Sequence, residues 1–274
     1  MRADMHTHSL FSFDGKPEST VPALCEAAIA AGLSHLAITD HCDIDGEING
    51  IYAVLDKDAV YAAVSEAKKK YADRLTVLFG LELGQPMSYP AEARALLARY
   101  PYDIVLGSLH NLAGEKDFYY FDFTETPDHE IAAYFDRVLD ESMSLCDFDG
   151  IHVLTHLTYM HRYLRRAGRD MDFAPFKEKL CALFEKIIAR GIALELNVST
   201  LASEGITMPT RELLSLYRSC GGKLISVGSD AHAPSRVAQS FGEASTLLLD
   251  CGFTELAIPT AHGVLTFPIE GGTT

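Results

Sequence analysis

The chain has 274 residues, enough for one large domain with a full core, and its 48% hydrophobic and 22% charged residues are typical of a globular protein. Its formal net charge is −15, from 23 basic and 38 acidic residues, and because such an excess repels phosphate polymers we expect no nucleic-acid partner. No apolar run reaches the roughly 18 residues of a membrane span, and the first residues lack the layout of a signal peptide, so we expect a cytoplasmic protein without membrane contact.

Seven short apolar runs are predicted to be strands. Each is at most eight residues long, rich in Ile, Val and Leu, and nearly continuous rather than alternating. Such runs are typical of parallel strands that are covered on both faces. In chain order they span residues 4–8, 35–40, 76–83, 103–109, 151–157, 192–198 and 224–229.

Longer segments with helical spacing lie between these runs. They span residues 21–31, 58–71, 91–100, 128–146, 173–190, 211–220 and 235–249. Thr126 followed by Pro127 is predicted to be a helix N-cap and first helical residue. Gly32, Gly191 and Gly221 stand where helices are expected to end.

The alternation of strand and helix predicts an α/β fold with a parallel sheet, either open and doubly wound or closed into a barrel. No linker, low-complexity stretch or internal repeat divides the chain. We therefore expect residues 1–274 to form a single domain, with residues 268–274 as a frayed tail.

The six cysteines are scattered, with no C-x-x-C pair, which argues against a zinc finger, a redox motif or a disulfide framework. We expect reduced, mostly buried thiols at Cys25, Cys42, Cys146, Cys181, Cys220 and Cys251.

Every predicted strand ends in a metal-ligating or strongly polar residue. Because active sites of barrels lie at the carboxyl ends of the strands, closure of the sheet would bring these seven ends around one cavity. In chain order the ends are His6-Thr7-His8, Thr39-Asp40-His41, Glu82, His110, His156, Glu195-Leu196-Asn197 and Ser229-Asp230-Ala231-His232.

Two of these ends have the spacing of a chelate. Residues i and i+2 of an extended strand point to the same side, so His6 and His8 can hold one ion. Asp230 and His232 can do the same if their strand extends that far. An H-x-H pair at a strand end is an efficient chelate, and a purely structural role for the pair is correspondingly disfavoured.

The neighbours Asp40 and His41 would point to opposite sides of a strand, so only one is expected to be a ligand unless the chain bends there. We favour His41. Glu82 lies in a run that otherwise reads as core, where an unpaired carboxylate is costly to bury. A carboxylate that bridges two cations would remove that cost.

Other polar residues have a structural interpretation of equal or greater weight. For Glu195, an internal hydrogen bond or ion pair is as well supported as a functional role. The remaining histidines are expected to be ordinary hydrogen-bonded residues. They are His35, His129, His152, His161 and His262.

A basic patch follows the fifth predicted strand. It comprises Arg162, Arg165, Arg166 and Arg169. Such a patch is usually a solvated helix face, yet it follows His156 in a loop expected to overhang the site. Both interpretations stay open at this point.

The whole set of motifs resembles that of a known superfamily, the polymerase and histidinol phosphatase (PHP) superfamily. The resemblance to its four-motif signature rests on His6-x-His8, Asp14, Thr39-Asp40-His41, Glu82, His110, His156 and Asp230-x-His232. A closer resemblance to its histidinol-phosphate phosphatases rests on His6-Thr7-His8-Ser9-x-Phe11-Ser12-x-Asp14-Gly15, Gly80-x-Glu82 and Gly107-Ser108-x-His110. The resemblance extends from Met5 to about Pro268, which is nearly the whole chain.

The resemblance implies a distorted, TIM-like (β/α)7 barrel of parallel strands with three divalent transition-metal ions. The implied ligands of the first ion are His6, His8, Glu82 and Asp230. Glu82 would bridge to a second ion bound by His110 and His156. A third ion would be bound by Asp14, His41 and His232. Zinc, manganese and iron all suit such mixed nitrogen and oxygen ligands.

The implied reaction is hydrolysis of a phosphate monoester, with L-histidinol phosphate as the expected substrate, in histidine biosynthesis. Clustered ions lower the pKa of water and neutralise phosphoryl oxygens. Candidates for supplying the proton or cation that the leaving alkoxide needs lie near Asp14, Asp40 and His232.

Candidate substrate contacts follow from the same resemblance. Arg162 or Arg165 could hold the phosphate with two hydrogen bonds, which would offset the acidic surface locally. Asn197 and the Gly84-Gln85 turn are expected to contact the substrate as well.

Other functions fit parts of the pattern. A PHP-type nuclease or an enzyme for nucleotides or phosphotyrosine would use similar ligands, but a nuclease should carry a basic groove or an appended domain, and the sequence shows neither. A metal-binding module without turnover is disfavoured because all ligand positions are filled and because the chain ends with the barrel. The sequence specifies no oligomeric state.

Overall fold

The computed structural model describes residues 1–269 of the chain. Within them are ten strands: β1 Ala3–Asp4, β2 His35–Ile38, β3 His41–Asp43, β4 Thr76–Gly84, β5 Ile104–Ser108, β6 Val153–Leu154, β7 Ala193–Asn197, β8 Ile225–Gly228, β9 Glu255–Thr260 and β10 Gly263–Pro268.

The same residues form ten α-helices: α1 Val21–Ala30, α2 Ile44–Ile48, α3 Lys57–Lys70, α4 Pro90–Arg99, α5 Asp128–Leu145, α6 Tyr159–Arg166, α7 Lys177–Arg190, α8 Leu201–Glu204, α9 Arg211–Ser219 and α10 Phe241–Asp250. Short 3₁₀ turns span Phe118–Tyr120, Ala174–Phe176 and Pro234–Arg236. No helix in the described part of the chain is both long and apolar enough to span a membrane.

Seven parallel strands form the predicted barrel, in the order β1-β2-β4-β5-β6-β7-β8, with β3 pairing with the upper half of β4. The first and last strands meet: the Met5 amide donates to the Val227 carbonyl at 3.0 Å and the His8 amide to the Ala231 carbonyl at 2.9 Å. The sheet is therefore closed rather than open and doubly wound. The barrel is distorted, because β1 and β6 are only two residues long.

The strands are buried on both faces, as their continuous apolar runs predict. All five residues of β7 are buried, among them the fully buried Leu194 and Leu196. Burial of each such leucine contributes about 1.5–3 kcal/mol to stability. Helices cover the outside, and α1 shows how they begin: the Thr20 side chain accepts a hydrogen bond from the Ala23 amide, and Pro22 follows in the first turn.

A hairpin closes one end of the barrel. Strands β9 and β10 are antiparallel, and Ile258 of β9 packs against Ala3, Leu78 and Ile104 near the amino ends of the strands. Neither strand of this hairpin is among the seven predicted strands. Because it covers the amino ends, the carboxyl ends of the parallel strands form the open rim, where the predicted site residues lie.

Several predicted boundaries differ from the structure. Helix α5 begins at Asp128, where its predicted span begins, but Pro127 is its N-cap residue rather than its first helical residue, and Thr126 provides no side-chain cap. The predicted tail from residue 268 is wrong at its start, since Pro268 belongs to β10 and Ile269 is buried. Residues 270–274 lie outside the described part of the chain.

Other local predictions are confirmed. Gly32, Gly191 and Gly221 follow helix ends with φ of 75°, 67° and 94°, conformations that disfavour other residues. All six cysteines are free thiols, four of them buried.

Candidate metal centre

Glu82 is the centre of a cluster of imidazoles at the open rim. Its Oε2 atom lies 3.3 Å from His6 Nε2 and 2.8 Å from His41 Nδ1. Its Oε1 atom lies 2.8 Å from His156 Nε2 and 3.2 Å from His110 Nε2. His8 Nε2 also lies 3.6 Å from Oε2. One carboxylate oxygen of Glu82 therefore faces two imidazoles and the other faces three.

Asp230 forms a second meeting point. Its Oδ1 atom lies 3.1 Å from His8 Nε2 and 3.7 Å from His6 Nε2. Strand β8 ends before it, and Asp230 has a φ of 53°, so the extended i, i+2 geometry predicted for Asp230 and His232 is replaced by a turn. The turn still directs both side chains to the rim, where His232 Nδ1 lies 3.7 Å from Asp230 Oδ1.

The outermost part of the cluster contains Asp14. Its Oδ2 atom lies 2.9 Å from His232 Nε2 and 3.8 Å from His41 Nε2. The ring of His8 stacks against those of both His41 and His232, with centroids 4.2 and 4.1 Å away. Asp14 is the most exposed member, with 40% of its side chain accessible.

Four sets of three side chains place a ligand atom each within 4.8 Å of one another. The sets are His6, His8 and Asp230; His6, Glu82 and His156; His8, His41 and His232; and His41, Asp43 and His110. The sets contain every predicted ligand except Asp14, whose carboxylate lies beside His41 and His232. They also contain Asp43, which was not predicted.

The buried donor atoms of the cluster have the properties of a binding site for divalent cations. His6 Nε2, His8 Nε2, His41 Nδ1 and Glu82 Oε2 are buried without a hydrogen bond of acceptable geometry. Buried polar atoms without partners are costly, and divalent cations bound among these side chains would provide partners for all four atoms. Imidazole and carboxylate ligands suit zinc, manganese and iron.

Further polar groups orient the imidazoles. His110 Nδ1 lies 2.7 Å from Asp43 Oδ1, and His232 Nδ1 donates to the Asp230 carbonyl at 3.0 Å. A hydrogen bond at one ring nitrogen fixes the tautomer and leaves the other nitrogen free to bind a metal. The Nε2 atoms of both histidines are therefore the ones presented to the cluster.

Opposite charges set the pKa values in the cluster. Burial raises the pKa of Glu82, yet the surrounding imidazoles, that of His41 foremost, hold this pKa well below its ordinary value. Burial lowers the pKa of His41, but the carboxylates of Glu82, Asp14 and Asp43 together outweigh burial and raise the pKa to about 9. Burial and neighbouring imidazoles lower the pKa of His8 to about 3, so His8 is neutral at pH 7, the form that binds metals.

Asp40 lies apart from the cluster, in contrast to its predicted role near the leaving group. Its carboxylate accepts hydrogen bonds from the Ser9 amide at 2.5 Å and the Ser9 hydroxyl at 2.7 Å. It is fully buried, and burial raises its pKa to about 6. Asp40 therefore supports the loop after His8, while its neighbour His41 enters the cluster as predicted.

A cavity of about 480 Å³ opens above the cluster. Its wall combines aromatic rings, carboxylates and arginines from the loops and helices that follow the strands. The lining residues are Phe13, Asp14, His41, Asp43, Tyr52, His110, Asp117, Tyr119, Tyr120, Tyr159, Arg162, Tyr163, Arg166 and His232.

Three arginines of the basic patch lie in α6 and divide between two of its faces, whereas Arg169 follows the helix and donates to the Phe123 carbonyl. Arg162 lines the cavity above the rings of Tyr159 and Tyr163, and its buried Nε has no hydrogen-bond partner. Arg165 points away from the cavity and pairs with Asp170 at 2.7 Å, which corrects its predicted role as a substrate contact.

The other expected substrate contacts lie behind the cavity. Asn197 is fully buried, and its amide donates to Glu195 and Asp230, each at 3.3 Å. A Cβ atom at Gly84 would lie 1.8 Å from Asp43 Oδ1, so this glycine makes room for that carboxylate. In the amide orientation that satisfies both its polar atoms, Gln85 donates to Asp43 at 3.0 Å. These residues position ligands and do not line the cavity.

Sequence reasoning missed several residues of the site. Asp43 stands two positions after His41 on β3, so the i, i+2 rule applied to His6 and His8 would have found it. Asp117 had no such signal, because it lies in the irregular segment between β5 and α5. Its carboxylate accepts hydrogen bonds from the Tyr119 amide at 2.7 Å and the Tyr159 hydroxyl at 3.3 Å, and burial raises its pKa.

Comparison with known proteins identifies the family. The model of the PHP domain matches residues 4–199, more than half of the chain. The chain belongs to the PHP domain family.

The relatives of this PHP domain include histidinol-phosphatases. The histidinol-phosphatase of Lactococcus lactis is 27% identical over 267 residues, 93% of each chain. A "Probable histidinol-phosphatase" of Clostridium acetobutylicum is 24% identical over 251 residues, 90% of this chain and 93% of the relative. A crystal structure of the Lactococcus lactis enzyme with zinc, L-histidinol and phosphate matches with a TM-score of 0.80 at 22% identity, covering 96% of this chain and 98% of that one. The structural match confirms the barrel fold.

Proposed function

We propose that this PHP domain is a metal-dependent phosphatase that hydrolyses L-histidinol phosphate to L-histidinol and phosphate in histidine biosynthesis. The observation that carries the proposal is the set of unpartnered imidazole and carboxylate atoms around Glu82, beneath a cavity whose wall includes the unpartnered Arg162. The histidinol-phosphatases among its relatives support the choice of substrate. We place the whole activity in one domain, residues 1–274, in the cytoplasm.

The donor set can hold about three divalent ions, as in clustered-metal phosphoesterases. The residues that would bind them are His6, His8, Asp14, His41, Glu82, His110, His156, Asp230 and His232, with Asp43 as an additional candidate. When bound, the ions would lower the pKa of water and neutralise charge on the phosphoryl oxygens.

Arg162 is the residue best placed to bind the phosphoryl group. Its guanidinium lies over two tyrosine rings, those of Tyr159 and Tyr163, which limits its freedom before substrate arrives. Arg166 lies one turn later on the same face of α6, but Glu204 already binds it at 2.8 Å. Arg162 therefore has free hydrogen-bonding capacity for phosphate, and Arg166 has less.

The organic part of the substrate carries an amine and an imidazole, both of which can be cationic. Asp117 offers a carboxylate in the cavity wall, beside the hydroxyls of Tyr52 and Tyr159. The rings of Phe13 and Tyr52 stack 4.3 Å apart at 6°, and such aromatic faces attract flat cations. An acidic, aromatic wall suits histidinol better than it suits a nucleoside, whose base and sugar carry no cationic group near neutral pH.

The leaving oxygen requires a proton or a cation. Asp14 Oδ2 and His232 Nε2 line the cavity 2.9 Å apart, and a metal ion held by this pair would neutralise the leaving oxygen. We place charge neutralisation of the leaving group at this pair, since Asp40 bonds to Ser9 behind the cluster.

Substrate comparison tests the proposal. Purified protein supplied with Zn²⁺, Mn²⁺ or Fe²⁺ is assayed for kcat/KM with histidinol phosphate, nucleoside monophosphates and phosphotyrosine. We expect histidinol phosphate to be preferred by about 100-fold or more, because a substrate without cationic groups leaves the Asp117 carboxylate without an oppositely charged partner. Equally weak rates on all substrates would overturn the specific function, and activity on a nucleotide alone would favour the alternative PHP-type phosphoesterase.

A further inference from the structure

Glu195 is a buried carboxylate that lines no part of the cavity and belongs to none of the four candidate ligand sets. It lies in β7 between Leu194 and Leu196, with 1% of its surface exposed, and points into the barrel. The sequence left open whether it forms an internal hydrogen bond or acts in the function. Its internal hydrogen bonds are made to two candidate metal ligands, so its structural contacts bear directly on the function.

Each carboxylate oxygen of Glu195 contacts a different candidate ligand. Oε1 lies 2.7 Å from His6 Nδ1. Oε2 accepts the backbone amide of His156 at 2.8 Å and the Asn197 side-chain amide at 3.3 Å. One side chain thus holds the ring of His6, just beyond β1, and the main chain of His156, just beyond β6, on opposite sides of β7.

The adjacent strand leaves room for this arrangement. A Cβ atom at Gly228 of β8 would lie 2.4 Å from Glu195 Oε1 and 2.4 Å from His6 Cβ. Any larger residue at position 228 would have to displace the carboxylate or the imidazole. Strand β8 can therefore lie this close to Glu195 and His6 because residue 228 is a glycine.

We propose that Glu195 is a positioning residue that keeps the proton of His6 on Nδ1, presents His6 Nε2 to a metal ion, and fixes the spacing between His6 and His156. The unpartnered Nε2 of His6, which faces Glu82 and Asp230, is the atom this arrangement presents. Because this role rests on the proposed function, metal binding by the unaltered protein is measured alongside it.

Glu195→Gln gives a sharp test, because glutamine has one acceptor and one donor where glutamate has two acceptors. If the amide oxygen keeps the donors of His156 and Asn197, the NH2 group faces His6 Nδ1 and drives the His6 proton to Nε2, which blocks that atom. If the oxygen stays with His6, the NH2 group opposes the His156 amide. Both orientations disturb a candidate ligand.

Zinc affinity is measured by chelator competition in the full-length protein. We expect Glu195→Gln to bind zinc about 10- to 100-fold more weakly, the usual effect of removing a partner of a metal-ligating histidine. Glu195→Asp keeps the charge but is too short to reach both contacts, so a positioning role predicts weaker binding there too. The matched control is Asp103→Asn: Asp103 is also a mostly buried carboxylate, and it accepts the Phe79 amide at 2.7 Å and Lys68 Nζ at 2.6 Å, at the amino ends of the strands. We expect its zinc affinity to equal that of the wild type.

Proton NMR of the zinc-loaded protein supplies a second readout that does not depend on activity. We expect a slowly exchanging, downfield His6 Nδ1–H resonance in the wild type and its loss or upfield shift in Glu195→Gln. Wild-type affinity and an unchanged resonance in both Glu195 variants would overturn the positioning role while leaving the proposed function standing. Absence of zinc binding by the wild type would overturn both.

Discussion

Replacement of Glu82 by glutamine perturbs the centre of the site with almost no change of shape. Glu82 is fully buried, and its two oxygens lie between 2.8 and 3.3 Å from four imidazole nitrogens. Glutamine keeps one acceptor, replaces the other by a donor, and removes the negative charge around which His6, His41, His110 and His156 are arranged.

The magnitude follows from the contacts. A hydrogen bond to a charged group is worth about 1.5–3 kcal/mol, and the amide weakens at least the two contacts made by the replaced oxygen. The sum, about 3–6 kcal/mol, corresponds to a loss of about 10²- to 10⁴-fold in kcat/KM if both contacts act in the transition state.

Steady-state kinetics with histidinol phosphate at saturating metal measures the effect, and elemental analysis of the same samples measures bound metal. Glu141→Gln is the matched control, because Glu141 lies on α5 outside the cavity and accepts only the Ala113 amide among the described contacts. We expect the control to retain wild-type activity. A Glu82→Gln enzyme within tenfold of the wild type, with full metal content, would refute the central place of this carboxylate.

Three further predictions follow from the cavity wall and the cluster. Arg162→Met should raise KM by about 10-fold or more through loss of a charge-assisted phosphate contact, whereas Arg165→Met, on the other face of α6, should leave kinetics unchanged. Asp117→Asn should lower kcat/KM for histidinol phosphate by about 10-fold. The same variant should leave kcat/KM for p-nitrophenyl phosphate nearly unaltered, because that substrate has no cationic group. Equal losses on both substrates would argue against a role of Asp117 in recognition. Chelation of metal should lower the midpoint of thermal unfolding by roughly 5–10 °C, reversibly on addition of zinc, because ions that bind only the folded state stabilise it, and an unchanged midpoint would contradict metal binding in the cluster.

The barrel could be predicted from the sequence because its strands are buried on both faces and therefore appear as continuous apolar runs. The β9–β10 hairpin could not, since the exposed Val264 and Leu265 give β10 no alternation of buried and exposed positions. Strand β3 is only three residues long and directly follows the predicted end of β2, so it left no separate signal.

The ligand positions could be predicted because strand ends converge in a closed sheet, which makes local sequence sufficient to place His6, His8 and Glu82 at one rim. The choice between Arg162 and Arg165 could not be made in this way, because it depends on the rotational position of α6 against the barrel. The roles of Asn197 and Asp40 likewise depend on tertiary contacts, with Asp230 and Ser9, that sequence spacing does not reveal.

The number of metal ions bound per chain tests the central claim most directly. Protein purified without chelator, equilibrated with Zn²⁺ or Mn²⁺ and freed of excess ion, is analysed by inductively coupled plasma mass spectrometry against protein concentration. The clustered donors around Glu82 and Asp230 predict about three ions per chain, as expected for a clustered-metal phosphoesterase. A value near zero that added metal does not raise would contradict the account.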